Sequence, residues 1–179
     1  YDVIGWAGLS NYASVLTSTA FWDLTFNSLA YLTGSLAIVL PVGLLSAMAL
    51  QTMKHGASYF RVLLLLPWTL SMAVVGCFWL WLLNPSYGPI SYAMKSAGLT
   101  PGLMLGDPGI ALLLLIVVTV WWSFPYVMVM MSAALQSIPG ELYEAPKVDG
   151  ASLLRMFWHI TLPHLMPTIF FLVLLRTIW

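Results

Sequence analysis

Charge is what this sequence has least of. Six basic and six acidic side chains make up 7% of 179 residues, while 61% are hydrophobic. Soluble domains carry about 25% charged residues. A chain this poor in charge lacks the polar surface to stay in water, which excludes a soluble all-helical core protein. The open question is how many times it crosses a membrane. Net charge is zero and the basic residues are scattered, so no nucleic-acid-binding patch exists. Cys77 is alone, which excludes an internal disulfide and a cysteine-rich metal site; in its apolar run it reads as a small buried side chain. Neither G-x-x-x-x-G-K-[ST] nor G-x-G-x-x-G occurs, so the chain is expected to bind no nucleotide and no cofactor itself. His159 and His164 are five apart rather than four, and with His55 they meet no carboxylate at ligand spacing, so no metal site is expected. Asp149 and His159 have no nucleophile beside them, and no catalytic residue is expected. There is no initiator Met, and the sequence opens and closes in mid-run, so it is expected to be the middle of a longer protein.

What remains is a series of uncharged runs, and the fold class they predict is an all-α polytopic membrane bundle. About 20 apolar residues as helix cross a bilayer core. Four spans are expected, at about 26–50, 62–83, 109–136 and 165–179, the last incomplete. Pro41 is expected to kink the first span and Pro125 to interrupt the third. Gly34, Ser35, Gly43, Ser46 and Ala47 would let another helix come close to the first. Residues 1–25, rich in Trp and Tyr, suit the headgroup level. There Gly8–Tyr12 reads as a turn into a short helix, with Ser18 or Thr19 as the next cap. Pro101-Gly102 and Asp107-Pro108 punctuate the 84–108 loop, where Ser91–Ser96 reads as one short helix.

Basic residues set the orientation. Lys54 and Arg61 lie in the 51–61 loop, and Lys147 and Arg155 in the 137–163 loop. Only Lys95 lies in 84–108, and residues 1–25 have no Lys or Arg. The 51–61 and 137–163 loops are therefore expected in the cytoplasm, with 1–25 and 84–108 outside.

The 137–163 loop is a polar island. It holds both glutamates, Glu141 and Glu144, with Lys147, Asp149 and Arg155. Ser137 and Pro139 suit the start of a helix, and the two glutamates suit its first turn. Gly150 permits a turn that residues with a Cβ resist, and would let the two halves pack closely. Asp149 is a candidate cap for a second helix, whose apolar face would be Leu153, Leu154, Phe157 and Trp158. Pro163 and Pro167 mark re-entry to the membrane.

Glu144-Ala145-Pro146, then Gly150 after three intervening residues and Ile160-x-Leu162-Pro163 after nine more, resemble the EAA motif of permease subunits in binding-protein-dependent ABC importers. The one departure is Pro146, where a second Ala is usual. Asp149-Gly150-Ala151, Leu142-Tyr143, Gly8–Tyr12 with Phe21-Trp22, and Leu66-Pro67 resemble the carbohydrate-uptake branch. The resemblance covers nearly the whole chain. It implies a MetI-like transmembrane domain of six spans, of which about four are present. It implies a multi-pass protein of a bacterial or archaeal cytoplasmic (inner) membrane, moving a sugar by alternating access. The loop would be a coupling helix docking on an ABC ATPase subunit through Glu144, Ala145, Asp149, Gly150 and Ala151. ATP and Mg would be bound by that ATPase, so the chain itself would be no enzyme. The other implied partners are a second, homologous permease subunit and an extracytoplasmic sugar-binding protein. A polyol or glycerol phosphate importer, and a non-transport scaffold or channel subunit, are the alternatives.

Three membrane residues are candidates for a substrate pathway. Arg176 is the one charge inside an apolar run, about 16 Å into its span by helix rise, where a charge must face a bundle interior or water. It is equally readable as a structural pair with another helix. Trp121 and Trp122 lie close to Pro125; one of the two is a candidate to stack on a sugar ring, and both are also readable as packing residues.

Overall fold

The computed structural model describes residues 8–53, 55–98, 105–148 and 150–178. Trp6, Lys54, the Pro101-Gly102 turn and Asp149 lie outside them. Among the described residues the secondary structure is helical throughout. A short α1 (Ser10–Thr17) follows a turn at Gly8–Leu9 and leads into α2 (Thr19–Thr52). Ser18 starts α2, its hydroxyl accepting from the Phe21 amide at 3.3 Å. Next come α3 (Ala57–Thr69), α4 (Met72–Leu82) and α5 (Pro89–Ser96), then α6 (Pro108–Gln136). Asp107 caps α6 by accepting from the Gly109 and Ile110 amides. The chain closes with α7 (Glu141–Val148), α8 (Leu153–Met156), a π-helical turn (Phe157–Thr161) and α9 (Leu162–Ile178).

Three helical runs are long and apolar enough to cross a membrane: 19–52, 108–136 and 153–178. The first has 34 residues, about 51 Å at the helical rise against a hydrocarbon core of about 30 Å. It exceeds the apolar run because Ser18 caps it ahead of Asp23. Pro41 and Pro125 both sit inside continuous helices. The expected interruption at Pro125 does not occur; the helix loses one amide donor, to the Trp121 carbonyl, and carries on. The 62–83 stretch differs more. It belongs to two helices, α3 and α4, that meet at 92°. Leu70 and Ser71 are both extended at the elbow, Ser71 caps α4, and Pro67 lies in the last turn of α3. Cys77 is exposed on α4 rather than buried.

The core is the seam between α2 and α6. Gly34 faces Ile116 and Gly43 faces Val127, so the two helices run in the same direction, with α3–α5 returning the chain between them. Every fourth residue of α2 is buried here, at Ser35, Val39, Gly43 and Ala47. Spacing by four keeps one helix face, and small residues on it let backbones approach. Met128 and Met131 of α6 and Leu165 of α9 fill the seam with no exposed surface. The same-direction packing brings Gln51 and Arg61 beside Ser132 and Gln136. The 53–61 and 137–152 segments therefore leave the bundle at one end.

A methyl group added at Gly43 would sit 2.5 Å from Val127 Cγ1 and 3.2 Å from the Met128 backbone nitrogen. At Gly34 it would meet only the flexible tip of Ile116. Gly43→Ala is expected to destabilise by about 1–3 kcal/mol, and Gly34→Ala by clearly less. Thermal unfolding of the detergent-solubilised protein measures both, and equal losses would contradict this seam.

Candidate functional site

Two places gather chemistry: the 137–163 segment at one end, and a cavity inside the bundle.

The segment is built from end-caps. Ser137 closes α6, its amide bonding to the Ala133 and Ala134 carbonyls and its hydroxyl to Ala134. It is a C-terminal feature of α6 and not the cap of α7. Ile138 drops into the core, and Pro139-Gly140 turns the chain into α7. Glu141 and Glu144 occupy the first turn of α7, where the helix dipole favours negative charge. Pro146 does not break this helix. Its missing amide frees only the Leu142 carbonyl, while its own carbonyl accepts from the Ala151 amide at 2.9 Å. The Gly150 amide reaches the Lys147 carbonyl at 3.2 Å, and Gly150 has φ +72°. The two bonds form a Schellman cap, whose left-handed position selects glycine. The space around Gly150 is open, so its role is backbone conformation and not close packing.

Ser152 begins the next helix, accepting from the Arg155 amide at 3.3 Å. The separate second helix of the loop is absent: α8, the π turn and α9 form one run from Leu153 to Ile178. The π turn precedes Pro163, and the Leu162 amide bonds five residues back to Phe157. His159 and His164 donate through Nδ1 to the carbonyls four residues earlier, Arg155 and Ile160. The Tyr143 hydroxyl lies 2.9 Å from Thr161 Oγ1, tying α7 to the base of α9, and Thr161 is buried. No spacing rule links residues this far apart, so the tie was invisible in sequence. None of α7 is buried. Val148 is 88% and Leu153 81% exposed, and Leu142, Leu154 and Trp158 are exposed as well. Of the apolar residues expected to pack the second helix, Leu153, Leu154 and Trp158 thus face outward, while Phe157 is half-buried. Ala145 is exposed beside Glu144, and Ala151 is half-buried.

The cavity holds about 100 Å³ between α2, α3, α6 and α9. Trp68, Trp122, Ser123, Tyr126 and Arg176 line it, with Leu and Val for the rest. Trp68 and Tyr126 have ring centroids 5.6 Å apart. Of the expected pathway residues, Trp122 and Arg176 meet here. Trp121 does not: its ring stacks on Phe78 at 6.2 Å and meets the edge of Trp79 at 5.7 Å, both on α4. Sequence did not single out Ser123, which is next to Trp122, or Tyr126, although Tyr126 lies one helical turn from Trp122 and so shares its face. Arg176 reaches α2, donating to the Tyr31 hydroxyl at 3.3 Å with its guanidinium 5.8 Å from the Tyr31 ring centroid.

Trp122 also explains how the elbow survives in an apolar setting. Its Nε1–H donates to the Leu70 carbonyl at 3.0 Å. That carbonyl belongs to the extended residue after α3 and has no helical partner. Thr69 returns its hydroxyl to Leu66 in the same turn. Non-helical backbone at membrane depth needs such partners.

The fold and these sites define a class: an all-helical, multi-pass membrane domain carrying a rigid exposed helix at one end. The sequence profile of the binding-protein-dependent transport system inner membrane component family matches residues 39–179, and the chain belongs to that family. The chain is 34% identical over 171 residues to the trehalose/maltose transport system permease protein MalF of Thermococcus litoralis, covering 96% of this chain and 58% of that one. It is 31% identical to the sn-glycerol-3-phosphate transport system permease protein UgpA of Agrobacterium fabrum, again over 96% and 58%. It is 38% identical to the xylose/arabinose import permease protein XacH of Haloferax volcanii, over 88% of this chain and 50% of that one. The chain thus spans less than two thirds of the length of these relatives. A bacterial ABC transporter involved in import of the acidic polysaccharide alginate superposes with a TM-score of 0.85 at 27% identity, over 97% of this chain and 62% of that one. The fold is that of ABC importer membrane domains.

Trp122→Phe would leave the Leu70 carbonyl without its donor, a loss of about 1–3 kcal/mol. Trp121→Phe would weaken only ring contacts, at about 0.5–1.5 kcal/mol. Thermal unfolding should rank Trp122→Phe as the more damaging; the reverse order would refute the hydrogen bond's role.

Proposed function

We propose that this chain is the membrane-spanning part of a permease subunit in an ATP-driven importer, with α7 as the contact that receives force from an ABC ATPase. The observation that carries this is a contrast. No residue of the helix is buried and only Tyr143 leans on the core, yet its end is locked by the Gly150 cap and its flank by Tyr143–Thr161. A connecting loop needs no such stiffness; a lever does. Glu141, Glu144 and Ala145, with Leu142, Val148 and Leu153, offer a partner a mixed acidic and apolar face. In sequence, Asp149, Gly150 and Ala151 complete the motif. In this reading the segment lies in the cytoplasm, as does the 53–61 turn with Arg61.

The solute path runs through the cavity, with Trp122 and Arg176 touching the solute and Trp121 bracing α4. Sugar is the solute class favoured by the aromatic walls, since ring faces stack on sugar C–H groups. The relatives named for trehalose/maltose and xylose/arabinose support the same class. A second reading, a phosphorylated polyol such as glycerol phosphate, is favoured by the positive charge of Arg176 and by the relative named for sn-glycerol-3-phosphate. The partners implied are two ABC ATPase subunits that bind ATP and Mg, a second homologous permease subunit and an extracytoplasmic binding protein. A related alginate transporter has been solved with its periplasmic binding protein, loaded with an alginate pentasaccharide.

Gly150→Ala forces a Cβ into the left-handed region, at about 1–2 kcal/mol. Asn tolerates that region. In vesicles holding the full transporter, Gly150→Ala and Glu144→Gln should each lower solute moved per ATP hydrolysed several-fold, with the subunit still in the membrane. Gly150→Asn should restore most of it. Unchanged coupling in both Gly150→Ala and Glu144→Gln would refute the lever.

A further inference from the structure

Arg176 carries a fixed positive charge on an apolar helix, half-buried. Such a charge is costly without compensation, and a structural role would normally supply a carboxylate. Among the described residues no Asp or Glu pairs with it, and its one hydrogen bond goes to a neutral phenol. A guanidinium has five N–H donors, so four remain for whatever occupies the cavity it lines. Arginine is long and flexible, and donors are useful for recognition only when their direction is held. Tyr31 supplies that hold in three ways. Its ring lies beneath the guanidinium, with the centroid 5.8 Å away. Its oxygen accepts from Arg176 at 3.3 Å. Its hydroxyl is in turn anchored 3.1 Å from Thr119 Oγ1 on α6. Thr119 is buried, and its carbonyl accepts from Ser123, a cavity residue, at 2.6 Å. Tyr31 itself is not on the cavity wall, so any effect it has on a solute passes through Arg176.

We propose that Tyr31 is a positioning residue that aims the free donors of Arg176 at acceptor oxygens of the transported solute. These oxygens belong either to the hydroxyls of a neutral sugar or to the carboxylate or phosphate of an acidic one. The inference rests on the reading of the cavity as the solute path.

The test uses the complete transporter in nanodiscs without its binding protein. Maltose and glycerol 3-phosphate are titrated separately, and binding is read from tryptophan fluorescence, for which Trp68 and Trp122 are reporters in the wall. Binding of maltose assigns the acceptors to hydroxyls; binding of glycerol 3-phosphate assigns them to an anion. For the probe that binds, Tyr31→Phe keeps the ring, removes the hydroxyl and should weaken binding about tenfold. Arg176→Ala should weaken it at least as much. Adding Tyr31→Phe to Arg176→Ala should change nothing further, because the residue acts only through Arg176. If Arg176→Ala weakens binding but Tyr31→Phe does not, or if the two effects multiply, the positioning role is overturned while the cavity stands. If neither Arg176→Ala nor Trp122→Phe alters binding, the cavity reading itself falls and the inference with it.

Discussion

A helix inside hydrocarbon has no water to fall back on, so a break in its backbone ladder is costly unless a partner within the protein covers it. Most of what distinguishes this chain follows from that constraint. The α3–α4 elbow exposes a carbonyl at Leu70, and Trp122 covers it. Arg176 brings a charge into the bundle; one of its donors goes to the Tyr31 hydroxyl, which Thr119 anchors in turn. Pro163 would strain the start of α9, and a π turn precedes it. The partners at Leu70 and Arg176 cross from one element to another, so they bind helices together where polar groups would otherwise be liabilities.

The α2–α6 seam makes those crossings possible. Because Gly34 and Ser35 carry so little side chain, α2 lies close enough to α6 for Tyr31, one turn away, to reach Thr119. Arg176 completes the link from α9. The cavity opens where these helices meet Trp68 of α3, so its wall combines the rigid seam with the elbow. Trp122 belongs to both, as a ring facing the cavity and as the donor that holds the elbow. At the far end the same helices continue into α7 and into the base of α9, and Tyr143–Thr161 closes the connection. A push on α7 therefore meets α6 and α9 directly, two of the helices that wall the cavity.

The class of protein was legible in sequence because it depends on quantities that add up locally. Scarce charge places the chain in a membrane, and Glu144, Gly150, Ile160, Leu162 and Pro163 at fixed spacing point to the family. Gly150 could be read for its conformation, because only one residue type takes a left-handed turn cheaply. The features missed are those decided by distant partners. Pro67 was visible, but nothing in 62–83 says that a tryptophan 52 residues beyond Leu70 will satisfy a broken carbonyl. Leu153 and Trp158 have the pattern of a packed face, yet nothing in the described chain covers them. Cys77 lies in an apolar run and is nonetheless exposed, since in a membrane domain apolar surroundings do not imply a protein interior. Tyr31 is one aromatic among many in sequence; its contact with Arg176, 145 residues away, exists only in the folded chain.

The central claim is that α7 is the surface through which an ATPase moves this domain. It is tested most directly by placing a photo-crosslinking residue at Val148, which is 88% exposed at the end of α7, in the assembled transporter in its membrane. The same residue at Tyr92 serves as the control, since it is 77% exposed on α5, in the 84–108 segment expected on the outer side of the membrane. The account predicts an adduct between position 148 and the ATPase subunit, and none from position 92. No ATPase adduct at 148, or equal adducts from both positions, would contradict it.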